Sequence, residues 1–199
     1  AAPDATGVVG ALDKVRSNDP FWQGGAADNF AARYTGALVV ETAGRYTLYL
    51  TSDDGSALYL DGERVIDNDG LHGNVTRQVT LDLESGLHQL EVLYFERGGA
   101  QTLELEWQGP DTGGQLQVLT GEALVHDPSP EAVPEPESAA DSSAGNTGLA
   151  AEYFTLPAGV SKLSDIDFTA TPDATGVVGA LDMVRSNDPF WQGGAADNF

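Results

Sequence analysis

Cysteine is absent from this chain of 199 residues. Its absence removes disulfides, thiolate metal sites and thiol catalysis together, and it fits a bacterial surface protein as well as a reducing compartment. Positive charge is scarce: 9 Lys and Arg residues stand against 31 Asp and Glu, for a net charge of −22. Such a surface excludes nucleic acid as a partner, because it would repel phosphates rather than neutralise them. An anionic membrane surface is disfavoured for the same reason, whereas divalent cations, high salt or plain solubility suit the charge. No apolar run approaches the ~20 residues of a helical membrane span, so no membrane insertion is expected within this window.

What is present, first of all, is a repetition. Residues 1–30 recur without a gap as 170–199, and only two positions differ: Ala2 against Thr171, and Lys14 against Met183. Self-similarity decides what the folding unit is, so it precedes any reading of elements. The expectation is a window slightly longer than one repeat, taken from a tandem array whose copies have begun to diverge. Such a window opens inside a domain, and its lack of a leader carries no information on export.

Residues 126–147, "HDPSPEAVPEPESAADSSAGNT", hold Val133 as their only large aliphatic residue. A segment so rich in Pro, Ala, Ser and acidic residues cannot bury a core, and its prolines favour a stiff, extended linker. The expected organisation follows. Residues 1–125 form most of one β-sandwich domain lacking its first strand, 126–147 are the linker, and 148–199 open the next repeat.

The folded part reads as all-β. Tyr46, Leu48 and Leu50 alternate with polar neighbours, and after a polar turn the run Ala57-Leu58-Tyr59-Leu60 leads into Asp61-Gly62. That dipeptide suits a tight hairpin in which both central residues take positive φ. "VTRQVTLDL", "LHQLEVLYF" and "TLELEW" follow, separated by the turns "ESG" and "ERGGAQ". Short strands with frequent turn signals indicate an antiparallel β-sandwich. The one helical candidate is "VVGALDKVRS", residues 8–17.

The sharpest chemical cluster is "TSDDGS", residues 51–56, where Asp53 and Asp54 stand side by side before Gly55. Adjacent carboxylates at a turn suit a hard cation such as calcium, and equally an Asx-type turn bonding its own backbone. Catalysis finds no motif. His72, His88 and His126 lie far apart without zinc spacing, and there is no nucleophile elbow or phosphate loop. "NVT" at 74–76 fits the N-glycosylation sequon.

The segments "GLAAEYF", "DNFAARYTGAL", "AGRYTLYLTSDDGSALYLDGERVIDNDGLHG", "LHQLEVLYFERGGAQTLELEW" and "LTGEALVH" together cover the folded repeat. They resemble the protective-antigen-type β-sandwich domain of bacterial toxins, glycosidases and yeast flocculin adhesins. The resemblance implies calcium at two consecutive aspartates joined by a cis peptide, with sugar hydroxyls completing the coordination. Asp53 and Asp54 fall on that pair. A further side-chain ligand, usually Asn, comes in the family from the loop after the "LYF"-like strand. Glu96 stands there, followed by Arg97, which either offsets the added charge or covers the pocket. Metal ligands are therefore expected at Asp53, Asp54 and Glu96. Ligand contacts are expected at Arg97, at Asn68 and Asp69 in the "IDNDGLHG" loop, and at Trp22, next to Gly24 and Gly25.

The repeat, the linker and the acidic surface lead to a non-enzymatic extracellular fibre or stalk, stabilised by calcium, whose partners are neighbouring copies of the same repeat. The alternative is a calcium-dependent adhesin binding cell-surface glycans, with avidity from many weak sites in series. An accessory carbohydrate-binding domain of a glycosidase ranks below both. The opening strand at 148–154 could complete its own domain or a neighbour's.

Overall fold

The structure is a computed structural model that describes residues 5–22, 24–126, 146–157 and 159–169. The second copy at 170–199 and most of the expected linker, 127–145, lie outside the described residues.

Twelve strands run β1 (Ala5–Val9), β2 (Asp13–Ser17), β3 (Phe30–Val40), β4 (Gly44–Asp53), β5 (Ser56–Leu60) and β6 (Glu63–Asn68). They continue with β7 (Val75–Leu83), β8 (Gly86–Glu96), β9 (Gln101–Gln108), β10 (Gln117–Val118), β11 (Leu124–Val125) and β12 (Leu149–Thr155). One sheet of 7 strands has the order β1-β12-β3-β8-β5-β6, with β11 also on β3. The facing sheet of 5 has the order β10-β9-β4-β7, with β2 also on β9. Every pairing is antiparallel. This is the antiparallel sandwich expected from the alternation.

The pleat sorts each strand into two faces. In β4, Tyr46, Leu48 and Leu50 are buried while Thr47 and Tyr49 are only half-buried. In β8 it is Leu90, Val92 and Tyr94 that point into the core, and in β9 Leu103, Leu105 and Trp107. Trp107 stacks on Tyr46, with ring centroids 5.5 Å apart. The turn Asp61-Gly62 takes positive φ at both positions, 52° and 82°, as a two-residue hairpin requires.

Strand β12 is inserted between β1 and β3, so the chain beyond the expected linker completes the sheet begun by residues 5–125. Tyr153 enters the main core, and Phe154 points to the opposite face of the sheet. There Ala31, Ala57, Phe95 and Leu163 form a second apolar cluster, roofed by Leu156, Val160, Ile166 and Phe168.

The helical candidate at 8–17 is corrected: these residues belong to β1 and β2. Val8 and Val9 find a partner strand in β12 and Lys14 one in β9, and tertiary pairing overrides a short stretch of weak helical pattern. Among the described residues the only helical turns are three short 3₁₀ pieces.

The face assignment is testable on β4. Leu48→Ala should cost about 2–5 kcal/mol of stability in urea unfolding. Thr47→Ala, which loses only an exposed pairing with Thr80, should cost at most about 1 kcal/mol.

Candidate metal centre at the Asp53–Asp54 turn

Strand β4 lies in the smaller sheet and β5 in the larger, so the chain crosses the sandwich at residues 54–55. Asp53 ends β4 and Asp54 follows it through a cis peptide bond, as the resemblance implies. Gly55 is required by crowding: a Cβ there would lie 2.3 Å from the Phe95 ring and 2.8 Å from the Gly70 nitrogen. Tyr94 Oη fixes the crossing by donating to the Asp53 carbonyl at 2.6 Å.

Glu96 enters from the other sheet, at the end of β8. Asp53, Asp54 and Glu96 each place a carboxylate oxygen within 4.8 Å of the others. Glu96 is fully buried, while Asp53 and Asp54 keep 7% and 8% exposure. Backbone donors aim the carboxylates. Asp54 accepts from His72 N at 3.1 Å and Arg97 N at 3.0 Å. Glu96 accepts from Gly98 N at 2.6 Å and Asp54 N at 3.1 Å. One cation reaches the cluster: Arg16 Nη1 lies 2.6 Å from Asp53 Oδ2. Burial and then the Asp54 charge push the Glu96 carboxyl up to about 8.

These donors fit calcium. The ion takes 6–8 oxygen ligands, and a carboxylate holding one or two N–H bonds keeps lone pairs to spare. Three carboxylates meet a single partly exposed guanidinium, and a divalent ion bound among them would displace the proton that Glu96 otherwise holds.

The other expected contacts fall differently. Asn68 is buried beside the site and ties strands together, donating to Ser52 Oγ at 2.9 Å and Val75 O at 3.0 Å; its Oδ1 has no partner among the described residues. Asp69 accepts from Gly70 N at 2.8 Å and from Leu163 N at 2.9 Å, so it anchors the segment after β12. His72 has both ring nitrogens 2.8 Å from backbone carbonyls, of Gly73 and Asn68. Arg97 is exposed at the rim. Trp22 is a correction. Its indole stacks on Tyr153 at 4.8 Å, and Gly25 approaches so closely that a Cβ would overlap the ring. Gly25 admits the indole to the core, while Gly24, at a positive φ of 75°, turns the chain in open space. Arg16 was missed, because its strand looked helical.

The class is that of a two-sheet antiparallel sandwich with an acidic cluster at the β4–β5 crossing. The sequence profile of the PA14 domain matches residues 5–121, and the chain belongs to that family. It is 26% identical over 148 residues to the anti-sigma-I factor RsgI3 of Acetivibrio thermocellus, covering 74% of this chain and 20% of that protein. The chain thus spans about a fifth of the length of this curated relative. A solved anti-sigma factor domain-containing protein superposes with a TM-score of 0.52 at 22% identity, over 57% of this chain and 40% of the other, which shows the fold. A PA14 sugar-binding domain from an RTX adhesin reaches 0.48 at 23% identity, over 57% and 74%.

The buried Glu96 makes calcium-free stability depend on pH. Its folded value lies above the ordinary 4.5, so the folded state holds the proton longer than the unfolded chain. The contribution of Glu96 to stability is then full below pH 4.5 and is lost as pH rises to about 8. Glu96→Gln should remove this slope in chelator-treated protein. Two smaller contributors remain: Glu104, raised by burial and by Asp13, and His88, where burial lowers the value but the Asp61 hydrogen bond prevails. Unfolding by urea at a series of pH values reads it directly.

Proposed function

We propose that the chain is a non-catalytic calcium-binding module of an extracellular, repetitive surface protein, with the ion held by Asp53, Asp54 and Glu96. The observation that supports this is the meeting of three largely buried carboxylates where β4 of one sheet crosses to β5 of the other, beside the end of β8. Bound there, calcium would tie the end of β4 to the end of β8 and so clamp the two sheets together. Neighbouring copies of the module, joined through the proline-rich segment, would form a fibre or stalk whose beads are stiffened by the ion.

Glycan binding is the second reading, and coordination number favours it. Three side chains supply fewer oxygens than calcium takes, so the remaining positions fall to water or to sugar hydroxyls. The rim is accessible: Arg97, Gly98 and Gly99 are exposed on one side and Leu71 and Gly73 on the other. Membership of the PA14 family supports this role, and a cell-surface setting suits both readings.

A thermal melt decides the first reading. At calcium 100-fold above its Kd, the folded state should gain about 2.7 kcal/mol. For a domain of this size that is a rise of roughly 5–10 °C in Tm. Excess chelator should reverse the rise, and the double variant Asp53→Ala/Asp54→Ala should not show it. An unchanged midpoint would leave both readings without their ion. Calcium-dependent retention on immobilised saccharides then tests the second.

A further inference from the structure

The outward face of the 7-stranded sheet is covered only in part. The segment after β12 roofs Ala31, Ala57, Phe95 and Phe154. Beside that roof lies a depression of about 370 Å³, lined by the side chains of Arg33, Thr35, Tyr59, Gln89 and Glu91. We infer that this depression is a further ligand site, separate from the acidic cluster, and that it binds a short neutral saccharide without a metal ion.

The register builds the site on three strands. Thr35 of β3 and Tyr59 of β5 both pair with Glu91 of β8, so the three lie in one row across the sheet. Arg33 and Gln89 stand two residues away along β3 and β8 and share that face. Their strand neighbours Tyr34, Leu58, Leu90 and Val92 are buried in the main core, which holds the backbone beneath the site. From Glu91 to Glu96 along β8 is about 17 Å, and the odd spacing turns the two side chains to opposite faces. The depression therefore shares no side chain with the candidate metal centre.

Charge and hydrogen-bonding capacity choose the ligand. Arg33 Nε donates to Glu91 Oε1 at 2.7 Å, and Arg33 Nη1 lies 3.5 Å from Glu152 Oε2. One guanidinium held between two carboxylates has no positive charge to spare for an anion, and the net charge of −22 repels an anion further. The guanidinium has more N–H donors than these bonds use, and Glu91 has a second carboxylate oxygen. Donors and acceptors held side by side match the hydroxyls of a sugar, which both donate and accept. Tyr59 adds the apolar component. Its half-buried ring packs against the second apolar cluster and lines the depression, giving the C–H face of a pyranose a surface to lie on. Gly62, at the adjoining turn, has no side chain to close that end. The volume is near the lower end of the roughly 300–1,000 Å³ of small-ligand clefts, which suits a short saccharide.

Saturation-transfer NMR on the chain in excess chelator tests this, with cellobiose, maltose and lactose as neutral probes and glucuronate as the anionic one. At least one neutral disaccharide should receive saturation from the protein, and glucuronate should not. Glu91→Gln, which loosens the hold on Arg33, and Gln89→Ala, at an exposed position, should each weaken binding of that disaccharide about threefold to tenfold with an unchanged Tm. Tyr59→Ala should abolish it. The inference is overturned if no neutral disaccharide binds in chelator, if binding needs calcium, or if all three variants leave it unchanged. Glucuronate binding as well as the neutral probes would overturn it too. With chelator present throughout, the outcome does not depend on whether Asp53, Asp54 and Glu96 hold an ion.

Discussion

The seating of β12 between β1 and β3 is the constraint on which the rest of the sandwich depends. Among the described residues β1 has no other partner strand, so without β12 it would present an unpaired edge. The pleat gives β12 two tasks at once. Tyr153 faces inward, against Trp22 and Tyr34, and so secures the connection between β2 and β3. Phe154 faces outward and binds the segment that roofs the second cluster. Phe30, which begins β3, lies against Phe21 and Trp22 and is paired in register with Glu96. The placement of one strand is transmitted through aromatic packing to the backbone position of a carboxylate at the candidate metal centre.

That centre occupies the seam between the sheets. Asp53 belongs to one sheet and Glu96 to the other, and the hydroxyl of Tyr94 bonds the carbonyl at the crossing. Four backbone N–H groups, from residues 54, 72, 97 and 98, point at the carboxylates. The charges are therefore held in place by the loops themselves. They do not depend on flexible cationic side chains, which would compete with an ion. Arg16 is the exception, and most of its side chain is in solvent, at 58% exposure. An exposed guanidinium gains little from one ion pair, so it can yield when a divalent cation arrives.

Much of this was legible in the sequence, and the failures have physical causes. The alternation in 44–60 and 75–107 and the dipeptide Asp61-Gly62 report local geometry, which a short window encodes. Asp53, Asp54 and Glu96 could be brought together because the resemblance supplied the register between β4 and β8, which local pattern does not encode. Residues 8–17 were misread because their apolar spacing is ambiguous over so few positions, and only pairing with β12 and β9 decides the matter. Arg16 went unseen for that reason. Trp22 was misplaced because glycines beside an aromatic residue can loosen a loop or admit a ring to close packing. The difference lies in what occupies the far face, here Tyr153 from beyond residue 148.

The flanks of the 127–145 segment are tied to each other. Val125 bridges Thr147, His126 N donates to Asn146 O at 2.9 Å, and Gly148 N donates to Leu124 O at 2.8 Å. Residues 146–148, which lead into β12, thus lie beside β11, and β11 and β12 take successive stretches of the same edge of β3. Pull applied to the two flanks would open this bridge from its end, one hydrogen bond at a time, rather than shear the long β3–β8 pairing. The acidic cluster, at the ends of β4 and β8, lies outside that bridge.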